Sequence, residues 1–526
     1  TEIYTLSLHD ALPISWRGGL YMNRWSRIDW LALLLSLVAF LAALAVAVTV
    51  FENLAHLEDE MAYVWQAQVI AGGQLTRPSP PCPRCFLVPF VVDYEGLRFG
   101  KYPLGWPALL AVAIRLGGRG LLNPLLAGFS VWLTYLLGKR LTDERTALLA
   151  AGLLVTSPFF LINSGSLLSH AWTLVLTLAL SLAWLDAFDL QSKPRVGRTW
   201  AALTVALTLG CLALTRPLTA VGVALPFALH GLVLLLRGDG AVRWRLIGVA
   251  FLAGSLAGLL FLWQYAVTGD ALLNPYTLWW PYDRVGFGPG VGLQVGGFAP
   301  RHALANTLLN LRVGSSDLFG WGRLSYLFLP FGIWALQREW RAWLTLSPVL
   351  FLVLAYMLYW VGAWLFGPRY YYEGLSALAI ISAAGWRWLA GRLNLAQWRS
   401  RLRFAVALQL LVGLVALNGL YYLPLRLEMM RNLYQVSRRY LQPFEAAQAQ
   451  LTPALVVVHP QEDWIEYGRL LELSSPFYDT PYVFVLSRGP ELTQQAIDYL
   501  PGRKVWHYYS SFPDQFFEQP LPTATP

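Results

Sequence analysis

Residues 31–66 read LALLLSLVAFLAALAVAVTVFENLAHLEDEMAYVWQ, and the change of character inside that stretch decides the fold. Residues 31–50 carry no charge and, as a helix, are long enough to cross the roughly 30 Å hydrocarbon core of a bilayer. Three consecutive carboxylates, Glu58, Asp59 and Glu60, stand just beyond that span. Charge at a membrane boundary costs desolvation, which makes it a functional candidate by default. The chain as a whole agrees with the apolar half of the stretch: 56% of its 526 residues are hydrophobic and only 13% charged. Mean hydropathy is +0.47, whereas a soluble domain carries roughly a quarter charged residues. The class is therefore a polytopic α-helical membrane protein. The net charge of +9 sits in short Lys and Arg clusters between apolar segments, so topology explains it and no nucleic-acid partner is implied.

Working outward, apolar runs of spanning length cover residues 30–50, 121–138, 146–163, 167–188, 200–214, 217–236, 246–267, 322–336, 343–361, 368–386 and 404–423, which predicts about eleven transmembrane helices. Residues 103–116 are also apolar but short. If they crossed fully, every later basic cluster would switch sides and the asymmetry would be lost. If they lie at the membrane surface or re-enter it, Arg24, Lys139, Arg140, Arg198, Arg243, Arg341 and Arg387 all share one side, which the positive-inside rule makes cytoplasmic. Residues 103–116 are thus expected to form a juxtamembrane or re-entrant helix, and loops 52–120 and 268–321 to lie outside with everything after Leu423.

Composition shifts after Leu423. Residues 455–459, 482–486 and 504–508 read as strands and 491–500 as an amphipathic helix, which predicts a small extracytoplasmic α/β domain over 425–519 and a disordered tail at 520–526. Residues 1–21 lack a basic leader that runs into the first span and read as a non-native extension, with Met22 as the expected native start and 22–424 as the membrane domain. Cys211 lies within a span as core filler. Cys82 and Cys85 form a lone C-x-x-C that is either a disulfide or two free thiols, with no second pair to make a zinc site.

The loop sequences HLEDEMAYVWQAQVIAGGQL (56–75) and EGLRFGKYPLGWP (95–107), together with SLLSHAW, LTRPLTAV, TGDALLNPY and FGPRYYYEGL, resemble in order and placement the GT-C-fold membrane glycosyltransferases over roughly residues 25–388. Within that fold the resemblance is to the protein O-mannosyltransferases and the lipid A aminoarabinose transferases. It implies an inverting transfer of a sugar from a polyprenyl-phosphate donor to an acceptor hydroxyl, on the outer face of a prokaryotic plasma membrane. No cofactor is required, and a divalent metal is left open by the acidic cluster. The acceptor is a protein, a lipid or a polysaccharide.

Carried over by position, Asp59 matches the catalytic carboxylate, suited as a general base for the acceptor hydroxyl. Glu60 matches the second acid, expected to orient acceptor or donor sugar, and Glu58 matches nothing. Lys101 matches the residue that contacts the donor phosphate, although Tyr102 separates it here from Pro103. Arg216 and Arg369 are further candidates for the phosphate, because guanidinium forks suit phosphate oxygens. His170 and Tyr276 are candidates for sugar or acceptor contact. Each has an ordinary alternative: a solvated helix start for the carboxylates, a snorkelling lysine, headgroup-anchoring arginines, a satisfied cap histidine and an interfacial tyrosine. Two other function classes compete. A lipid-linked oligosaccharide ligase or polymerase would share the donor, and a secondary transporter would show paired broken helices at the midplane, which the sequence lacks.

Overall fold

The computed structural model describes residues 25–189, 191, 196–362, 365–391, 396–461 and 464–522. The expected N-terminal extension, Met22 and most of the expected tail lie outside the described residues. Among the described residues seven helices are, by length and composition, long and apolar enough to cross a membrane: Arg27–Thr49, Arg119–Leu141, His170–Phe188, Arg198–Thr215, Pro217–Arg237, Gly240–Thr268 and the long helical run Trp398–Leu451. An eighth span is made by Glu144–Thr156 and Pro158–Gly165 if that bent pair is counted as one.

Four of the eleven expected spans are broken or shortened helices. The expected span at 146–163 bends by 60° where Pro158 has no N–H for the helical ladder and the Ser157 hydroxyl caps the new helix at Phe160. The expected span at 322–336 contains only the eight-residue helix Leu329–Leu336. That at 343–361 is cut at Pro348 into Trp340–Leu346 and Pro348–Tyr356. That at 368–386 opens as a 3-10 turn, Arg369–Gly374, before the sixteen-residue helix Leu375–Ala390. Hydropathy measures apolar content and does not record such breaks, which are tolerated at membrane depth where the freed backbone groups find partners within the protein.

One end of the bundle collects the basic clusters. Lys139 lies 2.7 Å from both Asp29 and Glu144, Arg140 pairs with Asp186, and Arg341 pairs with Asp189 at 2.7 Å. The opposite end carries the loops. There the helix Glu58–Ala71 packs against Gly105–Arg115, whose eleven residues reach only about 16 Å and cannot cross. Arg115 donates to the Ala71 carbonyl at 2.7 Å and closes this helical pair. Between the two helices the strands Val91–Tyr94 and Leu97–Gly100 form a hairpin, with Arg77–Pro78 on the other edge of Leu97–Gly100. Its two-residue turn, Glu95 and Gly96, has positive φ at both positions, the backbone that matches strand twist and that glycine adopts without strain.

The C-terminal segment adds a parallel sheet. Strand Ala454–His459 lies between Tyr482–Leu486 and Lys504–Tyr509, with helix Pro490–Tyr499 as the crossover between those two. Cys82 and Cys85 are disulfide-bonded and buried, and the Cys85 carbonyl accepts from Leu486 N–H at 2.7 Å, docking loop 52–120 on the edge of this sheet. Arg119 pairs with Glu472 at 2.7 Å, and Glu52 accepts from the Ser437 hydroxyl at 3.2 Å. Loop and sheet therefore share one end of the bundle.

Close backbone approach packs helix Leu329–Leu336 on Leu375–Ala390. A Cβ on Gly385 would lie 2.0 Å from the Phe328 carbonyl oxygen, and one on Gly332 would lie 1.9 Å from that of Ile381. Gly385→Ala is expected to destabilise the protein by about 1–3 kcal/mol, read as a lower Tm in detergent. Gly254→Ala, whose Cβ meets open space, should leave Tm unchanged or raise it.

Candidate active site

A cavity of about 410 Å³ opens where the helix Glu58–Ala71, the hairpin and loop 268–321 meet the helical bundle. Asp59, Lys101, Arg216, Arg369, His170 and Tyr276 all line it. Asp59 owes its place to the first turn of Glu58–Ala71, where the helix dipole favours a carboxylate. Lys101 follows directly on strand Leu97–Gly100. Gln66, on the same helix as Asp59, accepts from Gly100 N–H at 2.6 Å, so helix and hairpin set the two side chains at a fixed spacing.

Each cation in the cavity already has a carboxylate. Arg369 reaches Asp59 Oδ2 at 3.1 Å, while the Tyr102 hydroxyl donates to Asp59 Oδ1. Lys101 Nζ lies 3.2 Å from Asp283 Oδ2, both side chains buried, and sits 3.6 Å from the centre of the Phe90 ring and 4.9 Å from that of Trp280. Asp283 accepts in turn from the Tyr359 hydroxyl at 2.9 Å and from the Trp360 indole N–H at 3.2 Å. Arg216 pairs with Glu373 at 2.7 Å and donates to the Tyr356 hydroxyl at 3.1 Å.

These surroundings set the protonation states. Burial alone would raise the Asp59 pKa. The Arg369 charge, the Tyr102 hydrogen bond and the more distant Lys101 outweigh it and hold Asp59 below its ordinary value. Burial pulls Lys101 below its ordinary value, opposed first by Asp283 and then by Asp59. The carboxylate at 3.2 Å and the surrounding aromatic faces keep it an ammonium.

Glu60 does not line the cavity. Its Oε2 accepts from His56 N–H at 2.8 Å and Leu57 N–H at 2.9 Å, and its Oε1 from Leu167 N–H at 2.7 Å. It is 1% exposed and fastens the start of its helix to the turn before His170–Phe188. Burial raises its pKa, against those three N–H donors. Glu58, which matched nothing in the family pattern, lines the cavity beside Asp59. His170 departs from a satisfied cap histidine: it is 4% exposed, and neither ring nitrogen has a hydrogen-bond partner among the described residues. Tyr276 stands edge-on to Tyr102 at 5.4 Å, part of the cavity wall rather than of a lipid-facing belt.

Sequence reasoning passed over Asp283 and Glu373. Asp283 left a signal, as a lone acid between the aromatic WWPY and the glycine-rich GFGPGVG; Glu373 lay inside a quoted motif, and nothing distinguished it. Among the described residues no three His, Cys, Asp or Glu side chains cluster as a metal ion would require.

This fold, a helical membrane bundle with its cavity between the first two loops at one end, is that of the GT-C membrane glycosyltransferases. Residues 121–236 match the family model of the N-terminal part of the oligosaccharyl transferase STT3. The chain is similar in structure to ArnT from Cupriavidus metallidurans bound to undecaprenyl phosphate, at 15% identity and a TM-score of 0.55, over 90% of this chain and 88% of that one. It is also similar to the Archaeoglobus fulgidus oligosaccharyltransferase in the apo form, at 16% identity and a TM-score of 0.51, over 85% of this chain and 65% of that one. No curated protein matches the sequence.

Removing one member of a buried pair strands the other, at a cost of about 3–5 kcal/mol. Asp283→Asn is therefore expected to lower Tm sharply, and adding Lys101→Met to recover much of the loss. Thermal unfolding of wild type, both single variants and the double variant measures this.

Proposed function

We propose that the chain is an inverting glycosyltransferase that moves a sugar from a polyprenyl-phosphate donor to an acceptor hydroxyl on the extracytoplasmic face. The observation that carries this reading is one cavity in which a carboxylate, Asp59, faces two cations of different origin, Lys101 from the first loop and Arg369 from the start of a late helix. The cavity has room for a sugar-phosphate head. Pro103, Leu218 and Leu260 in its wall offer an apolar exit for a prenyl tail. The neighbour bound to undecaprenyl phosphate supports a lipid-phosphate donor. Sidedness rests on the basic clusters gathered at the other end of the bundle.

The donor phosphate lies between Lys101 and Arg369, with Arg216 within the same wall. Its oxygens share Arg369 with Asp59, which loosens the clamp on the carboxylate and makes it a stronger base. Asp59 takes the acceptor hydroxyl proton as that oxygen attacks the anomeric carbon from the face opposite the phosphate. The bond from the anomeric carbon to the phosphate oxygen breaks, and polyprenyl phosphate leaves with the electron pair, its charge held by Lys101 and Arg369. Phosphate leaves readily enough that no general acid is needed. Glu60 acts by holding the helix that carries Asp59, not by touching sugar. Domain limits at 22–424 and 425–519 belong to the same proposal.

Transfer from synthetic polyprenyl-phosphate sugars in nanodiscs tests the roles. Asp59→Asn is expected to cut turnover by about 10²–10⁴-fold with donor binding kept, and Lys101→Ala to weaken donor binding by roughly tenfold or more, the worth of one contact to a charged group. Undiminished turnover in Asp59→Asn removes the base assignment.

The pH profile gives a second test. Because the folded pKa of Asp59 is depressed, its base form persists as pH falls and is lost only below the ordinary carboxylate value of about 3.9. The acid limb of kcat/KM should thus lie below that value in wild type. In Arg369→Gln, which removes the largest opposing charge, it should move upward.

A further inference from the structure

A second cavity lies at the same end of the bundle and shares no lining residue with the first. It is a groove of about 460 Å³ between helix Pro300–Asp317 and the helix end Leu423–Met430. Its walls are mainly apolar. Leu309, Leu425 and Met429 are 44%, 49% and 63% exposed, so the apolar surface is open and not packed against protein.

The charge in this groove does not balance. Three guanidinium groups, Arg312, Arg323 and Arg426, line it against a single carboxylate, Asp317. Asp317 is already engaged: Arg426 reaches it at 3.2 Å and 3.3 Å, and the Tyr422 hydroxyl donates to it. Among the described residues neither Arg312 nor Arg323 forms an ion pair, and both are exposed. The groove thus offers two uncompensated cations above an open apolar floor. A water-soluble anion would leave the floor wet, and a neutral amphiphile would leave the cations unmatched. One chemistry satisfies both: a phosphate headgroup with acyl chains attached.

We infer that this groove binds an anionic phospholipid, its phosphate between Arg312 and Arg323 and its chains along Leu309, Leu425 and Met429. The position suits it, because the groove opens on Leu423–Met430, which continues the long apolar helix starting at Trp398. The site also touches the catalytic end of the chain. Arg426 donates to the Leu365 carbonyl, and Leu365 lies in the groove only four residues before Arg369 in the first cavity. The inference depends on membrane placement and charge, not on the reaction assigned to the first cavity.

Native mass spectrometry of the full chain, released from nanodiscs of mixed phosphatidylglycerol and phosphatidylcholine, tests it. Wild type should retain one phosphatidylglycerol in clear preference to phosphatidylcholine. Each basic side chain near a charged lipid surface contributes about 1 kcal/mol, so Arg312→Gln with Arg323→Gln should reduce that retention by about tenfold or more. Arg312→Lys with Arg323→Lys keeps the charge and should retain the lipid. Wild type that holds both lipids equally, or a glutamine pair that retains phosphatidylglycerol as wild type does, overturns the proposal. The wild-type preference and the lysine pair decide the matter even if the glutamine pair fails to fold.

Discussion

A lysine ammonium that is 2% exposed persists in the folded chain only because a carboxylate lies beside it. Lys101 and Asp283 come from different loops, and their pairing at 3.2 Å closes loop 268–321 over the first loop's hairpin. Asp283 is itself held by Tyr359 and Trp360, near the break after helix Pro348–Tyr356. One buried pair therefore joins three parts of the chain around a single cavity. Such a pair is weak grounds for stability, since apolar residues of similar volume often do as well. Its retention fits a site that must offer charge to a ligand.

The same logic runs through the rest of the cavity. Arg369 is matched by Asp59 and Arg216 by Glu373, so each cation is neutralised until an anion arrives. A phosphate then has cations held at fixed positions, and it competes with carboxylates rather than with bulk water. Competition for Arg369 is the consequential case. Under the proposed function, the residue that holds the donor is the one that restrains the base, and donor arrival and base strength are coupled through a single guanidinium. Among the described residues, His170 is buried in the cavity wall with both ring nitrogens unpartnered, as are the Trp263 indole N–H and the Gln264 amide oxygen.

Legibility in the sequence followed the range of the interaction. The first span, the short helix within 103–116 and the C-terminal strands were readable because local apolar pattern, length and turn residues determine them. The breaks in the late apolar runs were not readable, because 343–361 and 368–386 are apolar throughout while Pro348 and the 3-10 turn at Arg369–Gly374 interrupt their backbone ladders. The direction in which Glu60 points was not readable for another reason. A carboxylate next to Asp59 in sequence points about 100° away from it on a helix, and here that direction leads to the N–H groups of His56, Leu57 and Leu167.

By itself the sequence determined the membrane class and the polar loops that interrupt it, because composition and one-dimensional order suffice for these; Asp59 and Lys101 were singled out by what the family resemblance implies. Only the tertiary structure decided which carboxylate answers which cation. Asp283 lies 182 residues from Lys101, and Arg369 lies 310 from Asp59. Ion pairs in a low-dielectric interior depend on distances of a few ångströms. Such distances between remote segments are set by how hairpin, loop and helix ends pack, which no local pattern records.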